Sequence, residues 1–539
     1  MNNLRRRIPG FFALAAIATT LSACGGGGGG GIGGPGPGNN SGWQSGVFND
    51  ASTYFGRCQV PRAGINPATG NPYGDIQGTT LDENNFLRSY NNDTYLWYSE
   101  VTDRDPGNYN DPLVYFDLLR TNGVTPSGQP KDKFHFTYDT DDYYQLSQAG
   151  VSGGYGITWA FLSTTPPREL LIAYTEPNTP ATNLAMPLER GARVLAINGV
   201  SIDDGTPAGI DTLNAGIYPE PGQTYTFTFQ DPGSAGSRDV ALTAQNITSA
   251  PVQHTQVFDT PTGQVGYLAF NDHIATAEQA LIDAVNQLNA HNGGQGIDDL
   301  IVDLRYNGGG YLAIASEFAY MIAGPAQTAG RIFDNLTFND KHPATNPVTG
   351  QPLTPTPFIS TAYGPPFNGT PGQALPTLDL QRVYVLTGGG TCSASEAIIN
   401  GLRGIGVEVI QIGSTTCGKP YGFYPTDNCG TTYFTIQFKG SNDVGFGDYA
   451  DGFSPANASG PGEDVPGCSV ADDFTKQLGD PTEGRTAVAL AYRDGQACPA
   501  ATGGTPGVLG KAGQPGEFAE PYVPKPPWLT NLILGPESQ

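Results

Sequence analysis

An α/β fold is expected for the larger part of this chain, and three stretches predict it. Leu300-Ile301-Val302-Asp303-Leu304 reads as a buried strand that runs through Gly308-Gly309-Gly310 into an apolar helix from Tyr311 to Ala323. Val383-Tyr384-Val385-Leu386 repeats the pattern: Gly388-Gly389-Gly390 turn the chain, and Ile398, Leu402 and Ile405 then recur at helical spacing. A third apolar run, Val407 to Ile412, ends in a loop that carries Gly418 and Lys419. In front of this α/β region, short strands predict a β-rich domain and helical periodicity predicts a small helical one.

The 539 residues, 38% hydrophobic and 14% charged, are enough for two or three packed domains. A formal net charge of −24 with no basic run beyond the first residues excludes nucleic acid and an anionic membrane surface as partners, because phosphate binding needs clustered Lys and Arg.

The chain divides into 1–23, a signal segment; 24–60, a glycine-rich tether; 61–148, helical; 149–248, β-rich; 249–498, the α/β core; and 499–539, a Gly/Pro-rich tail. Arg5-Arg6-Arg7, the apolar stretch from Phe11 to Leu21 and Leu21-Ser22-Ala23-Cys24 resemble the signal and lipobox of a bacterial lipoprotein. That resemblance implies lipidation of Cys24, export, and attachment to the cell envelope through lipid chains alone. An ordinary secretory signal is the competing reading. From Gly25 to Gly42 the composition cannot bury apolar surface, so a flexible tether is expected.

Leu87, Tyr90, Thr94, Trp97 and Val101 share one helical face, and Asp111-Pro112 supplies an N-cap and N1 proline for a second helix through Leu119. Between Gly150 and Ile247 come a strand opening at Tyr155-Gly156-Ile157, another over Glu169 to Tyr174, and a run from Leu188 into an Asn198-Gly199 turn. These resemble a PDZ domain, whose glycine loop, here Gly154, Tyr155, Gly156 and Ile157, would present N–H groups to a peptide carboxylate. A small ligand-free β-barrel is the bland alternative. In the core, Val265 to Phe270 is a strand and Leu281, Ala284, Val285 and Leu288 mark a helix. The region 325–380 offers one strand, Arg331 to Phe338, and Thr432 to Phe438 another. Beyond Pro499 no periodicity remains, so the tail is expected to be disordered or laid over the surface.

Six cysteines besides Cys24 suggest disulfides in an exported protein; proximity favours Cys417 with Cys429 and Cys468 with Cys498. Their spacing is not that of a zinc site and the five histidines stand apart, so no metal and no cofactor is expected.

Ser393-Ala394-Ser395-Glu396 fits a capping box, a purely structural role. Gly413 to Lys419 nearly spells a phosphate-binding loop but fails at Pro420, which has no hydroxyl for Mg²⁺. A third reading makes Ser393 a nucleophile and Lys419 its base. Lysine serves only when neutral, so a pKa near 10.4 must fall by about three units, roughly 4 kcal/mol, which burial can supply. Cys392 is a weaker nucleophile candidate, since exported cysteines are usually bridged.

Asp303-Leu304-Arg305-Tyr306-Asn307-Gly308-Gly309-Gly310, Ser393-Ala394-Ser395-Glu396 and Thr416-Cys417-Gly418-Lys419, in that order behind a PDZ-like segment, resemble the carboxyl-terminal processing (tail-specific) serine peptidases. The resemblance implies a crotonase/ClpP-like core and a Ser-Lys acyl-enzyme mechanism. Ser393 would be nucleophile, Lys419 general base, and the backbone amides of Ala394 and Gly309 the oxyanion donors. Substrates would be proteins or peptides with free C-termini. A non-catalytic peptide-binding lipoprotein scaffold is the rival. Phe423 stands where such peptidases often have Gln, and the serine-to-lysine interval is slightly long.

Overall fold

The structure, a computed structural model, describes residues 42–66, 70–501, 517–524 and 532–533. Cys24 and the glycine tether up to residue 41 lie outside the described residues, and no described helix is long and apolar enough to cross a membrane.

The α/β region is built on a six-stranded sheet in the order Val252–Thr260, Gly263–Phe270, Asp299–Asp303, Arg382–Thr387, Glu408–Gly413, Gly467–Ser469. The first pair is antiparallel and every later one parallel. Parallel strands need both faces covered, and their near-continuous apolar runs provide for it. Leu268, Phe270, Leu300, Val302, Val383 and Val385 point to one face, against the helices Ala277–Asn289, Leu312–Ala323 and Ala394–Gly404. Tyr267, Ala269, Ile301, Tyr384, Leu386, Ile410 and Ile412 point to the other, against the helix Gly484–Arg493. The period of two along each strand thus sorts one apolar run into two cores.

A second sheet of seven strands carries its own core of Trp159, Phe161, Leu170, Val194, Phe227 and Leu242. Its strands include Ile157–Ser163, Glu169–Thr175 and Arg193–Ile197. The Asn198-Gly199 turn is present, with both residues at positive φ (48° and 75°), as a two-residue hairpin requires. The helix Pro207–Ile217 packs on this sheet; its start is capped by the Thr206 hydroxyl. Of the Gly154–Ile157 stretch, Gly154 ends the strand Val151–Gly154, Ile157 opens the strand Ile157–Ser163, and only Tyr155 and Gly156 form the link between them. Tyr155 is buried with its hydroxyl donating to the Gly216 carbonyl at 3.0 Å, and Gly156 adopts φ 77° against Thr179.

The N-terminal helix is Thr80–Thr94, with a Thr79/Asp82 capping box. It ends before Trp97 and Val101, which the helical periodicity had included: Tyr95 turns out to an extended ψ of 132°, and its hydroxyl is drawn to Asp132. The second helix begins as expected at Pro112 under the Asp111 side chain and stops at Asp117. This segment is stitched into the core. The strand Phe136–Asp139 pairs with Thr431–Phe434, and a disulfide joins Cys58 to Cys429.

That disulfide corrects the pairing expected from proximity. Cys429 sits in the hairpin between Thr426–Asn428 and Thr431–Phe434 and faces the N-terminal segment, whereas the sheet carries Cys417 to Cys392. Cys468 and Cys498 pair as expected. The 325–380 region holds shorter strands than its sequence suggests: Ile332–Asp334 and Thr356–Pro357, paired antiparallel. Two pieces of the tail, Glu517–Tyr522 and Leu532–Ile533, form strands despite lacking periodicity, because their partners lie elsewhere in the chain.

Candidate active site

Three loops at the C-terminal ends of neighbouring parallel strands converge: Leu304–Gly310, Gly388–Ser393 and Ser414–Lys419. This is where an open α/β sheet leaves a crevice. Ser393 stands at the junction of strand and helix, fully buried, with φ 60° and ψ −112°. A non-glycine residue there costs about 1–3 kcal/mol, so the surroundings must hold it.

They do so from both sides. Toward the first loop, the Cys392 N–H donates to the Asn307 carbonyl at 3.2 Å, the Ser395 hydroxyl to the same carbonyl at 3.0 Å, and the Thr391 hydroxyl to the Leu304 carbonyl at 2.7 Å. Toward the third loop, a Cys392–Cys417 disulfide and the Cys417 N–H to Thr391 carbonyl bond (3.0 Å) close the other flank.

Glu396 ties the centre together. Its Oε2 accepts from the N–H of Ser393 and from the N–H of Lys419, each at 2.8 Å, so those nitrogens lie within twice that length of each other. Its Oε1 accepts from the Thr416 hydroxyl and from the Gly418 N–H at 2.8 Å. Burial pushes this carboxyl above its usual range while the four donors oppose the shift. The Ser393/Glu396 capping-box arrangement of the sequence is present, and its Glu396 arm is the hydrogen-bonded one. Glu396 bonds the cap amide, but the Ser393 Oγ makes no hydrogen bond of its own.

Lys419 is buried, its amine over the rings of Phe134 (4.5 Å) and Phe423 (4.7 Å). Burial drives its pKa well below the ordinary lysine value, against the opposing charges of Asp132 and Glu396. Phe423, the departure at the position of a common glutamine, is thus part of the wall that desolvates the amine. Lys133 also reaches this loop, donating to the Cys417 carbonyl at 3.1 Å, but its side chain is exposed.

Ala394 is the first residue of the helix, so its N–H has no partner within the helix. The Gly309 N–H, at φ 111°, donates to Asn307 Oδ1 at 2.9 Å. That oxygen also meets His273 Nδ1 at 2.9 Å, while Asn307 Nδ2 donates to the Phe270 carbonyl. An oxygen acceptor facing His273 Nδ1 fixes the proton on that nitrogen. Sequence reasoning had set all five histidines apart from the motifs. His273 is buried behind the glycine turn, bridged through its backbone to Gly309 and Tyr311, with no sequence signal beyond its place after a core strand. It contacts the glycine loop rather than forming a Ser-His-Asp arrangement. Donor atoms of Cys392, Glu396 and Cys417 lie within 4.8 Å of one another, but the disulfide occupies both sulfurs and four donors occupy Glu396.

These loops fall within residues 264–423, which match the family model "Peptidase family S41". The chain carries a peptidase family S41 domain. It is also 27% identical over 282 residues to a carboxyl-terminal-processing protease of Picosynechococcus sp. (strain ATCC 27264 / PCC 7002 / PR-6), covering 51% of this chain and 56% of that relative. The chain thus spans a little over half the length of that relative. A crystal structure from Bacteroides fragilis NCTC 9343, named among S41 proteases, superposes with a TM-score of 0.56 at 20% identity, covering 76% of this chain and 97% of the other. At that identity the likeness concerns the fold of the S41 domain and its flanking units.

Proposed function

We propose that this protein is a serine peptidase that cleaves polypeptides through an acyl-enzyme on Ser393, with Lys419 as general base. The observation that carries the reading is the buried, depressed amine of Lys419 on a loop tied to the Ser393 turn by one carboxylate. A neutral amine can take the proton from the Ser393 hydroxyl as Oγ attacks a peptide carbonyl; the resulting ammonium returns it to the leaving amine, and water then repeats the sequence on the ester. The amides of Ala394 and Gly309 would receive the oxyanion. For Gly309 this requires release of its bond to Asn307 Oδ1.

The β-rich sheet, whose strand Ile157–Ser163 follows the Gly154–Ile157 segment and pairs on its outer side only with Glu517–Tyr522, suits capture of an extended C-terminus in the manner of a PDZ domain. Cys24 remains the proposed lipidation site, placing the enzyme on the cell envelope. The test is incubation of the full chain, Ser393→Ala and Lys419→Ala with an unstructured protein. Cleavage by the wild type alone supports the assignment, and equal cleavage by all three overturns it.

A further inference from the structure

Two described stretches of the tail, 517–524 and 532–533, lie where a substrate would have to lie. Glu517–Tyr522 pairs antiparallel with Ile157–Ser163, Glu517 opposite Ser163 and Tyr522 opposite Phe161, and so completes the outer edge of the seven-stranded sheet. Its direction is that of a captured C-terminus: it enters at the Ser163 end and proceeds toward the Gly154–Ile157 loop. The Tyr522 ring stands 6.5 Å from that of Phe161 and close enough to Tyr218, at the end of the Pro207–Ile217 helix, to act on its phenol. Val523 then packs beside Tyr174, Leu478 and Tyr306, the last of these in the loop that leads to the glycine turn.

The second piece is closer to the chemistry. Leu532–Ile533 pairs in parallel with Gly310–Tyr311, Leu532 opposite Gly310, directly after Gly309. The same two residues approach the strand Tyr421–Gly422, which begins two positions beyond Lys419. One segment of chain therefore runs along the sheet edge proposed to take a peptide and reappears between the glycine turn and the lysine loop. Both pairings are made by backbone, which is how an extended polypeptide is held whatever its sequence.

We infer that residues 517–524 and 532–533 are intramolecular occupants of the peptidase's own substrate path, together a strap that a substrate must displace before it reaches Ser393. The inference rests on the peptidase reading above. Because the strap is tethered, it acts at an effective concentration on the order of millimolar, and it competes with substrate binding without touching the chemical step.

The experiment uses the full chain and a full-length Leu532→Pro, Ile533→Pro variant, since proline removes the backbone donors on which the pairing depends. With an unstructured polypeptide as substrate, KM is expected to fall at least about fivefold in the variant with kcat unchanged. A synthetic peptide of residues 517–539 is expected to inhibit the variant competitively. Equal KM in both proteins, or no competition by the peptide, overturns the inference. In parallel, the labelled 517–539 peptide is titrated by fluorescence anisotropy into Ser393→Ala chains with and without the proline pair. Binding is expected to the proline-bearing chain and to be at least about tenfold weaker to the other. Absence of that difference overturns the strap even if no protein here cleaves anything, whereas the difference without any cleavage by wild type overturns only the peptidase reading.

Discussion

Two buried clusters of charged groups, one around Arg305 and one around Glu396 and Lys419, treat charge in opposite ways. In the first, Arg305 bonds Asp303, Asp472 and Glu483, while Arg190 of the β-rich unit bonds the same Asp472 at 2.7 Å and the Tyr306 hydroxyl. Burial alone would raise these carboxyls, but Arg190, Arg305 and Arg485 outweigh it and hold Asp472 far below the carboxylate range; Arg305 likewise lowers Glu483 to about 2. In the second, burial prevails: Glu396 is raised and Lys419 falls well below its ordinary value. Arginine keeps its proton and offers a planar fork to carboxylates, so it suits a permanent joint between two units; a lysine against aromatic rings gives its proton up. The difference separates a cluster whose charges are held by their partners from one whose charges burial disfavours.

The largest expected effect comes from making the second cluster inert. Lys419→Met should lower kcat/KM by about 10³–10⁴-fold, the upper range for loss of a general base, while leaving stability equal or higher. The sign follows from linkage: the folded pKa of Lys419 lies below its unfolded value of 10.5, so between the two the unfolded chain binds more protons and stability rises with pH. Urea denaturation over that window should show the rise in the wild type and a weaker one in the variant. A variant both inactive and severely destabilised would mean that Lys419 is structural.

Next is the first cluster. Asp472→Asn leaves Arg190 and Arg305 without their shared carboxylate and should cost about 3–5 kcal/mol in chemical denaturation. Its pH signature has the same sign, stability rising with pH, but falls in an acidic window. Glu483 has a folded pKa of about 2 against an ordinary 4.5, so its contribution is complete above 4.5 and is lost as pH falls toward 2. Stability that did not decline on acidification through this range would contradict the pairing.

Much of this contrast was legible in the residues. The parallel core strands, both glycine turns and the Ser393, Glu396 and Lys419 constellation follow from apolar runs, punctuation and motif order, because each is a local signal. The Asn198-Gly199 hairpin was legible for the same reason. What stayed hidden is set by distant partners. Arg190 and Asp472 are ordinary charges in the sequence, His273 meets Asn307 only through the sheet, and Cys417 reaches Cys392 rather than Cys429 because two parallel strands lie side by side. The tail strands have no period of their own; Glu517–Tyr522 is a strand only because Ile157–Ser163 offers an edge.

The disulfides refine the comparison on a smaller scale. Cys392–Cys417 and Cys468–Cys498 close loops of similar length, with separations of 25 and 30 residues, so replacing either pair by serine should cost about 3 kcal/mol. Only the first fastens the Ser393 turn to the lysine loop. The Cys392→Ser, Cys417→Ser variant should therefore also lose kcat, by about tenfold, with KM little changed, whereas Cys468→Ser, Cys498→Ser should retain kcat. Equal kcat in the two variants would show that the clamp contributes stability alone.

The smallest effect is the most discriminating about which amine matters. Lys133 and Lys419 both belong to the lysine loop's surroundings, but Lys133 is exposed and spends its amine on the Cys417 carbonyl at 3.1 Å, whereas Lys419 is buried between two rings. Desolvation lowers the Lys133 pKa from the ordinary lysine value as well, but less than it lowers that of Lys419, and the Lys133 amine is already committed to a carbonyl. Lys133→Ala should then change stability by less than about 1 kcal/mol and kcat/KM by less than about fivefold, with the pH at half-maximal kcat/KM unmoved. If that midpoint shifted or the rate fell a hundredfold, the base would have to be reassigned from Lys419 to Lys133, and the desolvated pocket formed by Phe134 and Phe423 would be left as packing for an amine that takes no part in the reaction.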